Sequence, residues 1–198
     1  MQSKHILKSV GIALLFCLMY CQSSTVFAES RTYDVQVLVF SHITPQTIQL
    51  QRWPAIPAAP TTNGITPTHT AYDLQHEKKI LERNPNYKIL FDGSFQETWH
   101  AENTTITLPI ISNTPQSALS GAMQITLAHY FDVHTNLILS EQTSTLAKIA
   151  NTPYFSQWSQ PTFRFQLLQD RRMRSDELNY LEHPLIGVLI KIIRVNEK

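Results

Sequence analysis

The densest cluster of chemically versatile side chains lies near the C-terminus, where three arginines within four residues are followed by a tyrosine and a histidine. A guanidinium group binds a carboxylate through two parallel hydrogen bonds, and the face of a tryptophan ring can stack on a sugar ring. Together such side chains suit a polymer of sugars and carboxylate-bearing peptides. The candidate ligand-binding residues are Arg171, Arg172, Arg174, Tyr180, His183, Trp158 and Trp99.

The same residues also have a purely structural interpretation. Four acidic residues lie close to the arginines in the sequence and would neutralise them through ion pairs, namely Asp170, Asp176, Glu177 and Glu182. Arg171 and His183 would then hold the last hairpin together through buried ion pairs and a fixed turn at Pro184. The tryptophans would belong to the hydrophobic core. The residue types alone leave both interpretations open.

Sequence signals of catalysis are absent. The chain has no Gly-x-Ser-x-Gly elbow, no Ser-x-x-Lys pair and no His-Glu-x-x-His motif, which are typical of serine acyl chemistry and of zinc proteases. Its glycines are too scattered for a phosphate-cradling loop. These observations favour a binding protein over an enzyme, and no cofactor is predicted. A hydrolase without a familiar motif is the least favoured alternative.

Histidines and acidic residues do not form a convincing metal site. His129 and His134 are an odd number of residues apart, so on one regular strand they would point to opposite faces. His69, His76 and Glu77 come closer to a ligand set, because a helix start could bring them together. We favour the interpretation that these are surface polar residues around a helix N-terminus, and no metal is predicted.

Residues 1–28 are predicted to be a cleaved signal peptide. A basic start precedes an apolar run over 10–21, which is shorter than the roughly 20 residues of a membrane-spanning helix. Modest side chains precede the expected cleavage after Ala28. An uncleaved anchor or a lipoprotein is the alternative, but the bulky Tyr20 before Cys21 argues against lipidation. Because both cysteines lie in the removed segment, export without disulfides predicts a location in a bacterial periplasm.

The composition of the remaining chain narrows the range of partners. Of 16 basic and 15 acidic residues, only Lys4 and Lys8 lie in the signal peptide, which leaves 14 against 15 and a net charge of −1. A near-neutral chain argues against nucleic acid as a partner. No second long apolar run follows, so no membrane span is predicted after cleavage. Residues 29–198 are long enough for one hydrophobic core, and we expect a single domain.

Hydrophobic periodicity predicts an α+β fold in which strands dominate. Strand-like segments cover residues 33–40, 87–99, 121–139, 163–173 and 187–195, and the segments 87–99 and 121–139 are each long enough to bend or form a hairpin. The best helix covers 71–83 and stops before Pro85. A Pro/Thr-rich loop runs over 54–70, and Ser175-Asp176 favours a hairpin turn over a helix start. We expect a mostly antiparallel β-sheet with one main helix packed on one face.

The C-terminal sequence resembles the CsiV family of periplasmic proteins. The family pattern reads roughly Arg-Arg-Met-Arg-Ser-x-Glu-Leu-x-Tyr-x-Asp-His-Pro-x-x-Gly-x-Leu. The matching segments are Arg171-Arg172-Met173-Arg174-Ser175, Glu177-Leu178, Tyr180-Leu181, His183-Pro184 and Gly187-Val188-Leu189-Ile190. The start agrees as well, because Tyr33-Asp34-Val35 matches the family's first strand. The resemblance covers most of the chain after the signal peptide and is densest near the C-terminus.

The chain departs from the family pattern at several positions. Glu182 stands where the family usually has Asp, which is a mild change. Asp92 and Phe95 replace the usual His and Trp, which weakens the case for a ligand role of that stretch while Phe95 keeps a packing role. Gln51 precedes Trp53 where an acidic residue would be typical. These differences indicate a divergent member.

The resemblance implies a non-catalytic periplasmic factor that binds peptidoglycan and supports cell-wall assembly and cell shape. Family members are thought to work with an outer-membrane lipoprotein that activates a bifunctional penicillin-binding protein, so such a lipoprotein is an expected partner besides peptidoglycan. The alternative is an envelope adaptor that regulates a peptidoglycan synthase through protein contacts without itself binding glycan. An exposed edge strand, or an apolar patch near Trp53 or Trp158, would favour this alternative.

Overall fold

The computed structural model of the protein describes residues 30–54, 56, 67, 72–113 and 117–195. The predicted signal peptide, most of the Pro/Thr-rich loop and His69 lie outside the described residues. No helix in the described ranges is both long and apolar enough to cross a membrane.

The described part of the chain contains nine strands and four short α-helices. The strands are β1 (Arg31–Ser41), β2 (Lys88–Trp99), β3 (Thr104–Pro109), β4 (Ser112–Asn113), β5 (Ser117–Leu127), β6 (Phe131–Gln142), β7 (Thr162–Met173), β8 (Asn179–His183) and β9 (Ile186–Arg194). The helices are α1 (Pro45–Ile48), α2 (Gln75–Glu82), α3 (Thr143–Ala150) and α4 (Pro153–Ser156), and a 3-10 turn, Tyr72–Leu74, leads into α2.

The strands form two sheets, and neighbouring strands in both run antiparallel. Sheet I has the order β2-β1-β9-β8, and sheet II has the order β3-β5-β6-β7 with β4 also paired to β5. Strands β5 and β6 form a hairpin, as do β8 and β9. Antiparallel neighbours can be joined by tight turns, as these two hairpins are, and they need no crossover helix.

The inward faces of the two sheets share one hydrophobic core. Val35 and Val37 of β1 are fully buried, and so are Ile190 of β9, Leu139 of β6 and Phe165 of β7. The alternation that places these side chains inward follows from the two-residue period of a strand. Burial of each such side chain contributes roughly 1.5–3 kcal/mol to folding.

The outward face of sheet I is covered by the 3-10 turn and helix α2. Leu38 of β1 and Leu74 of the turn form a small second core, with Leu81 of α2 packed against it. Polar contacts hold the same segment. The Asp73 amide donates a hydrogen bond to Gln36 Oε1 at 2.8 Å. Two ion pairs join Lys78 to Asp92 at 2.8 Å and Lys191 to Asp73 at 3.4 Å. Both faces of β1 are therefore buried, and this strand lies at the centre of the structure.

The predicted α+β class and the mostly antiparallel arrangement are confirmed. The helix expected over 71–83 begins with the 3-10 turn and continues as α2. Helix α3 was not expected. It contains Thr143, Thr145 and Ile149, which are weak helix formers, and it is stabilised by burial of Leu146 and Ala150. Asn151 ends this helix in the left-handed conformation, with φ of 49°.

The hairpin expected around Ser175-Asp176 is wrong in its pairing. A turn is present at this position, where Asp176 has φ of 63° and its amide donates to Ile192 O at 2.8 Å. However, β7 pairs with β6 in sheet II, whereas β8 pairs with β9 in sheet I. The alternation of apolar and polar residues along a strand shows which side chains are buried, but it does not show which strand lies next to it in the sheet. The chain therefore crosses between the sheets at this turn.

Candidate functional site

A polar pocket lies on the outer face of sheet II. Apolar side chains such as Ile125 of β5 and Leu137 of β6 point into the core, so their polar neighbours face outward. Four strands contribute to an open concavity of about 540 Å³. We call it the sheet II pocket, and it is lined by Thr105, Gln124, Thr126, Asp132, Val133, His134, Asp170, Arg171 and Arg172.

Cross-strand pairs fix the charged side chains of this pocket. Arg172 and Asp132 lie opposite each other in β7 and β6. The guanidinium donates from Nε to Oδ1 at 2.7 Å and from Nη2 to Oδ2 at 3.1 Å. The pair His134 and Asp170 is joined at 2.5 Å between Nδ1 and Oδ1. The hydrogen bond from Arg172 lowers the pKa of Asp132, so this carboxyl stays ionised in mildly acidic solution.

Tyr130, just before β6, contacts two of the arginines. The Cζ atoms of Arg172 and Arg174 lie 5.9 and 5.5 Å from the centre of its ring, which is within the range of cation–π attraction. Arg174 also approaches Glu177, with 3.9 Å between Nη1 and Oε1. Both arginines are therefore engaged by groups of the same chain. Arg172, however, uses a carboxylate from a neighbouring strand and not one of the acidic residues close to it in sequence.

Arg171 differs from the two other arginines. It is exposed near the end of β7, an edge strand of sheet II, and borders the sheet II pocket. Its cross-strand neighbour is the inward-facing Val133, so its side chain leaves the other face of the sheet, beside the pocket. No hydrogen bond or ion pair joins its guanidinium to any residue that the structure describes. The expectation that Arg171 helps to hold the last hairpin through a buried ion pair is therefore wrong, because Arg171 is exposed. Its side chain offers five hydrogen-bond donors and a full positive charge at the edge of sheet II, beside the pocket.

Tyr180 and His183 belong to sheet I and not to the sheet II pocket. Tyr180 lies on the outer face of β8, is 41% exposed, and stacks parallel to Phe40 with 6.3 Å between ring centres. Burial of the rest of its side chain raises the pKa of Tyr180. The sequence placed this tyrosine close to the arginines, but the crossing between the sheets puts it on the other layer.

His183 organises the turn between β8 and β9. Its Nδ1 accepts a hydrogen bond from the Leu185 amide at 3.1 Å, and its ring lies 5.4 Å from the Trp53 ring. Burial, and secondarily the nearby His42, lowers the pKa of His183 to about 4. The ring is therefore neutral near pH 7 and acts as an acceptor. The fixed turn at Pro184 is confirmed, with a neutral histidine holding it in place of an ion pair.

Trp99 is part of the core. It is 1% exposed, and its ring meets Tyr33 and Phe131 edge-on at 5.7 and 5.8 Å between centres. Such a ring offers no face to a ligand, so the expectation that Trp99 stacks on a sugar does not fit the structure. The sequence next to Trp99 did not indicate that it is buried, because polar residues precede and follow it.

Trp158 is half-buried and has a different setting. Its ring packs edge-on against Phe163 at 5.0 Å and against Tyr154 at 6.1 Å. It lines a groove of about 550 Å³ between helices α3 and α4 and the start of β7. Phe163 and Arg172 are at opposite ends of β7, which places the groove about 30 Å from Arg172 along an extended strand. Trp158 is therefore remote from the arginines.

Several residues of the sheet II pocket were missed by the sequence analysis. Asp132, His134, Gln124 and Thr105 come from three strands that are separated in sequence. One usable signal was present, because Asp132 and His134 alternate with buried residues along β6 and must face outward. Nothing in the sequence, however, specified which strand lies beside β6.

The structure supports no metal site among the residues it describes. These residues contain no group of three His, Cys, Asp or Glu side chains that could hold a metal ion. His129 lies in the turn before β6 and contacts the Tyr130 ring at 4.7 Å, so the argument from strand alternation does not apply to it. His76 is exposed on helix α2.

Comparison with known proteins gives one family. A family model described as "Peptidoglycan-binding protein, CsiV" matches residues 63–195 of the 198-residue chain. No curated protein and no solved structure gave a match. The matched range contains every strand of sheet II and all three arginines. The match extends over more than half of the sequence, and the chain belongs to the CsiV family of peptidoglycan-binding proteins.

Proposed function

We propose that this protein binds peptidoglycan through the sheet II pocket together with the Arg171 guanidinium beside it, and that it catalyses no reaction. The observation that carries this proposal is the exposed guanidinium of Arg171, which lies beside the pocket on edge strand β7 and has no partner among the described residues. Peptidoglycan stem peptides carry carboxylates, which guanidinium groups bind through paired hydrogen bonds. The description of the family supports peptidoglycan as the ligand.

The shape of the pocket also favours a polymer over a small molecule. Sites for small molecules are usually enclosed and mostly apolar, whereas this pocket is an open sheet face with hydroxyl, amide and charged side chains. Thr105 and Thr126, hydrogen-bonded to each other at 2.7 Å, and Gln124 can bond to sugar hydroxyls or peptide groups. A polymer can lie across such a face and make many weak contacts.

The cellular role belongs to the same proposal. A peptidoglycan-binding protein acts in the envelope, in agreement with the signal peptide expected over 1–28 and with a periplasmic location. The expected support of wall assembly and cell shape, and the expected partnership with an outer-membrane lipoprotein that activates a penicillin-binding protein, follow from the family resemblance. Binding to the wall would place this protein where such a partner works.

One observation favours the alternative function of an envelope adaptor. Strand β8 is at the edge of sheet I and carries Tyr180, which is 41% exposed. Edge strands and exposed aromatic rings are common in protein–protein contacts. A partner bound there would leave the sheet II pocket free. The two functions are therefore compatible, and they differ in whether the isolated protein binds the wall.

The test is retention of the purified protein, expressed from the full chain, on insoluble peptidoglycan sacculi. We expect retention at low salt that falls as salt rises, because the contact between guanidinium and carboxylate is exposed and is screened. Sacculi whose carboxyl groups have been converted to amides serve as the matched control and should retain much less protein. Absence of retention on untreated sacculi at low salt would contradict the proposal and favour the adaptor.

A further inference from the structure

We infer that the groove beside Trp158 is a separate binding site for the neutral N-acetylated sugars of the glycan chain. The inference rests on the proposed function, because it assigns one chemical part of peptidoglycan to a second site. The sheet II pocket would take the charged peptide part. The groove, about 30 Å away along β7, would take the sugars.

The chemistry of the groove is the first argument. All eleven described residues that line it are uncharged, and seven of them are Ser, Thr or Gln. Stem peptides carry carboxylates and would find no counter-charge here. Sugar hydroxyl and acetamide groups are neutral, and they exchange hydrogen bonds with hydroxyl and amide side chains. The volume of about 550 Å³ is within the roughly 300–1,000 Å³ typical of ligand sites.

The state of the Trp158 ring is the second argument. The ring is half-buried and is held edge-on by Phe163 at 5.0 Å, so it is fixed in place before any ligand arrives. Its indole N–H donates to none of the described residues. A fixed aromatic face with a free donor at its edge suits a pyranose ring, which has an apolar face and a polar rim.

The fixed loop around the groove is the third argument. The Thr143 hydroxyl donates to Gln160 O at 2.8 Å, and the Thr143 amide donates to Pro161 O at 2.9 Å. These bonds join the start of helix α3 to the segment before β7 and set the width of the groove. The side chains of Ser144 and Gln160 are exposed and make no hydrogen bond to a described residue. Their polar groups are available to a ligand.

The test uses a neutral oligomer of six β-1,4-linked N-acetylglucosamine units and intrinsic tryptophan fluorescence. Trp53 and Trp99 are 3% and 1% exposed, so acrylamide should quench mainly Trp158. Bound oligomer should protect Trp158 from acrylamide, and calorimetry on the same protein should give its affinity. Maltohexaose, which is neutral but lacks acetamide groups, is the matched ligand control and should bind much more weakly.

Two variants locate the site. Trp158→Ala removes the ring, and Ser144→Tyr fills the groove from the exposed side without disturbing the core, so it stays informative if the first variant folds poorly. Each should lower the affinity for the N-acetylglucosamine oligomer by about tenfold, and Arg171→Ala should leave it unchanged. Unaltered affinity in both groove variants, or equal binding of maltohexaose, would overturn the inference.

The outcome for sacculi separates this inference from the proposed function. Sacculi that retain the protein, together with no binding of the N-acetylglucosamine oligomer, would overturn the glycan site and leave the proposed function intact. Loss of both would overturn the two together. Binding of the oligomer at the groove, with sacculi retention that still depends on Arg171, would support two sites of different chemistry on one protein.

Discussion

At the scale of single residues, two neighbouring arginines have opposite settings. Arg172 is held in the sheet II pocket by the carboxylate of Asp132, whereas Arg171 leaves the opposite face of β7 beside the pocket and has no partner among the described residues. A charge that is already paired within its own chain gains little from an exposed ligand, because it must first give up that partner. We therefore assign ligand binding to Arg171 and a positioning role to Arg172.

Asp132→Asn tests this assignment. The substitution removes the charge that neutralises Arg172 and should free its guanidinium at the pocket, next to the unpaired Arg171. We expect stronger retention on sacculi at low salt, with little change in stability because the pair is exposed. Asp73→Asn is the matched control, since it removes an exposed carboxylate that pairs with Lys191 beside sheet I. If retention on sacculi rises equally in both variants, the change in net charge alone explains the effect, and the assignment is contradicted.

His183 gives a prediction about pH. Its pKa is lowered to about 4 in the folded chain, whereas an unperturbed histidine has a value of about 6.5. Between these values the unfolded chain binds a proton that the folded chain does not. The free energy of unfolding should therefore rise as pH increases from about 4 to about 6.5, by up to roughly 3 kcal/mol, and be lost again as pH falls.

The variant His183→Asn isolates this effect, because its amide oxygen can still accept from the Leu185 amide while the side chain no longer titrates. Denaturant unfolding of both proteins across this pH range measures it. We expect a shallower pH dependence in the variant, with the remainder due to His42, whose pKa burial also lowers, and to carboxyl groups. Identical slopes in the two proteins would show that His183 is not held neutral.

At the scale of elements, β5 depends on one glycine. Gly121 has φ of 139°, and a Cβ added there would lie 2.1 Å from the Asn136 carbonyl oxygen of β6. Both the conformation and the close approach of the strands exclude other residues. Gly121→Ala should therefore lower the free energy of unfolding by about 3 kcal/mol or more. Ser120→Ala, the neighbouring control, should change it by less than about 1 kcal/mol.

Denaturant unfolding measures both variants. If Gly121→Ala lowers the free energy of unfolding no more than Ser120→Ala does, the close contact between β5 and β6 at Gly121 is contradicted. Because these strands carry Gln124 and His134, the same variant should also weaken retention on sacculi if it folds. Ser120→Ala should not.

The 3-10 turn and helix α2 are attached to sheet I by the buried Leu74 of the turn and by two ion pairs. Leu74 is 1% exposed and fills the small core against Leu38. Leu74→Ala should cost about 2–5 kcal/mol of unfolding free energy through lost burial and the remaining cavity. Ile80→Ala, on the 52% exposed Ile80 of α2, is the control and should cost far less. Similar losses in both would contradict the packing of this helix on sheet I.

At the scale of the whole molecule, local pattern predicted much of the fold and little of the site. The alternation of Val35, Val37 and Val39 placed β1 correctly, and the stop before Pro85 placed the end of helix α2. These features depend on neighbouring residues. The crossing after Met173 depends on which sheet the next strand pairs with, and the local sequence pattern does not specify that pairing.

The same reason explains the candidate residues that the structure separates. Arg172 and Tyr180 are close in sequence but lie on different sheets, while Asp132 is distant in sequence and touches Arg172. Trp99 and Trp158 are alike as residue types, yet one is in the core and the other lines a groove. The family resemblance predicted the kind of ligand, and only the arrangement of strands decides which side chains can reach it.

The most direct test of the central claim compares two arginine variants on sacculi at low salt. Arg171→Ala removes the unpaired guanidinium beside the sheet II pocket, and Arg83→Ala removes an exposed arginine at the end of helix α2, so both variants lose one positive charge. We predict that Arg171→Ala weakens retention by roughly tenfold while Arg83→Ala matches the unaltered protein. Equal retention of the two variants, with both folded, would contradict binding through this pocket.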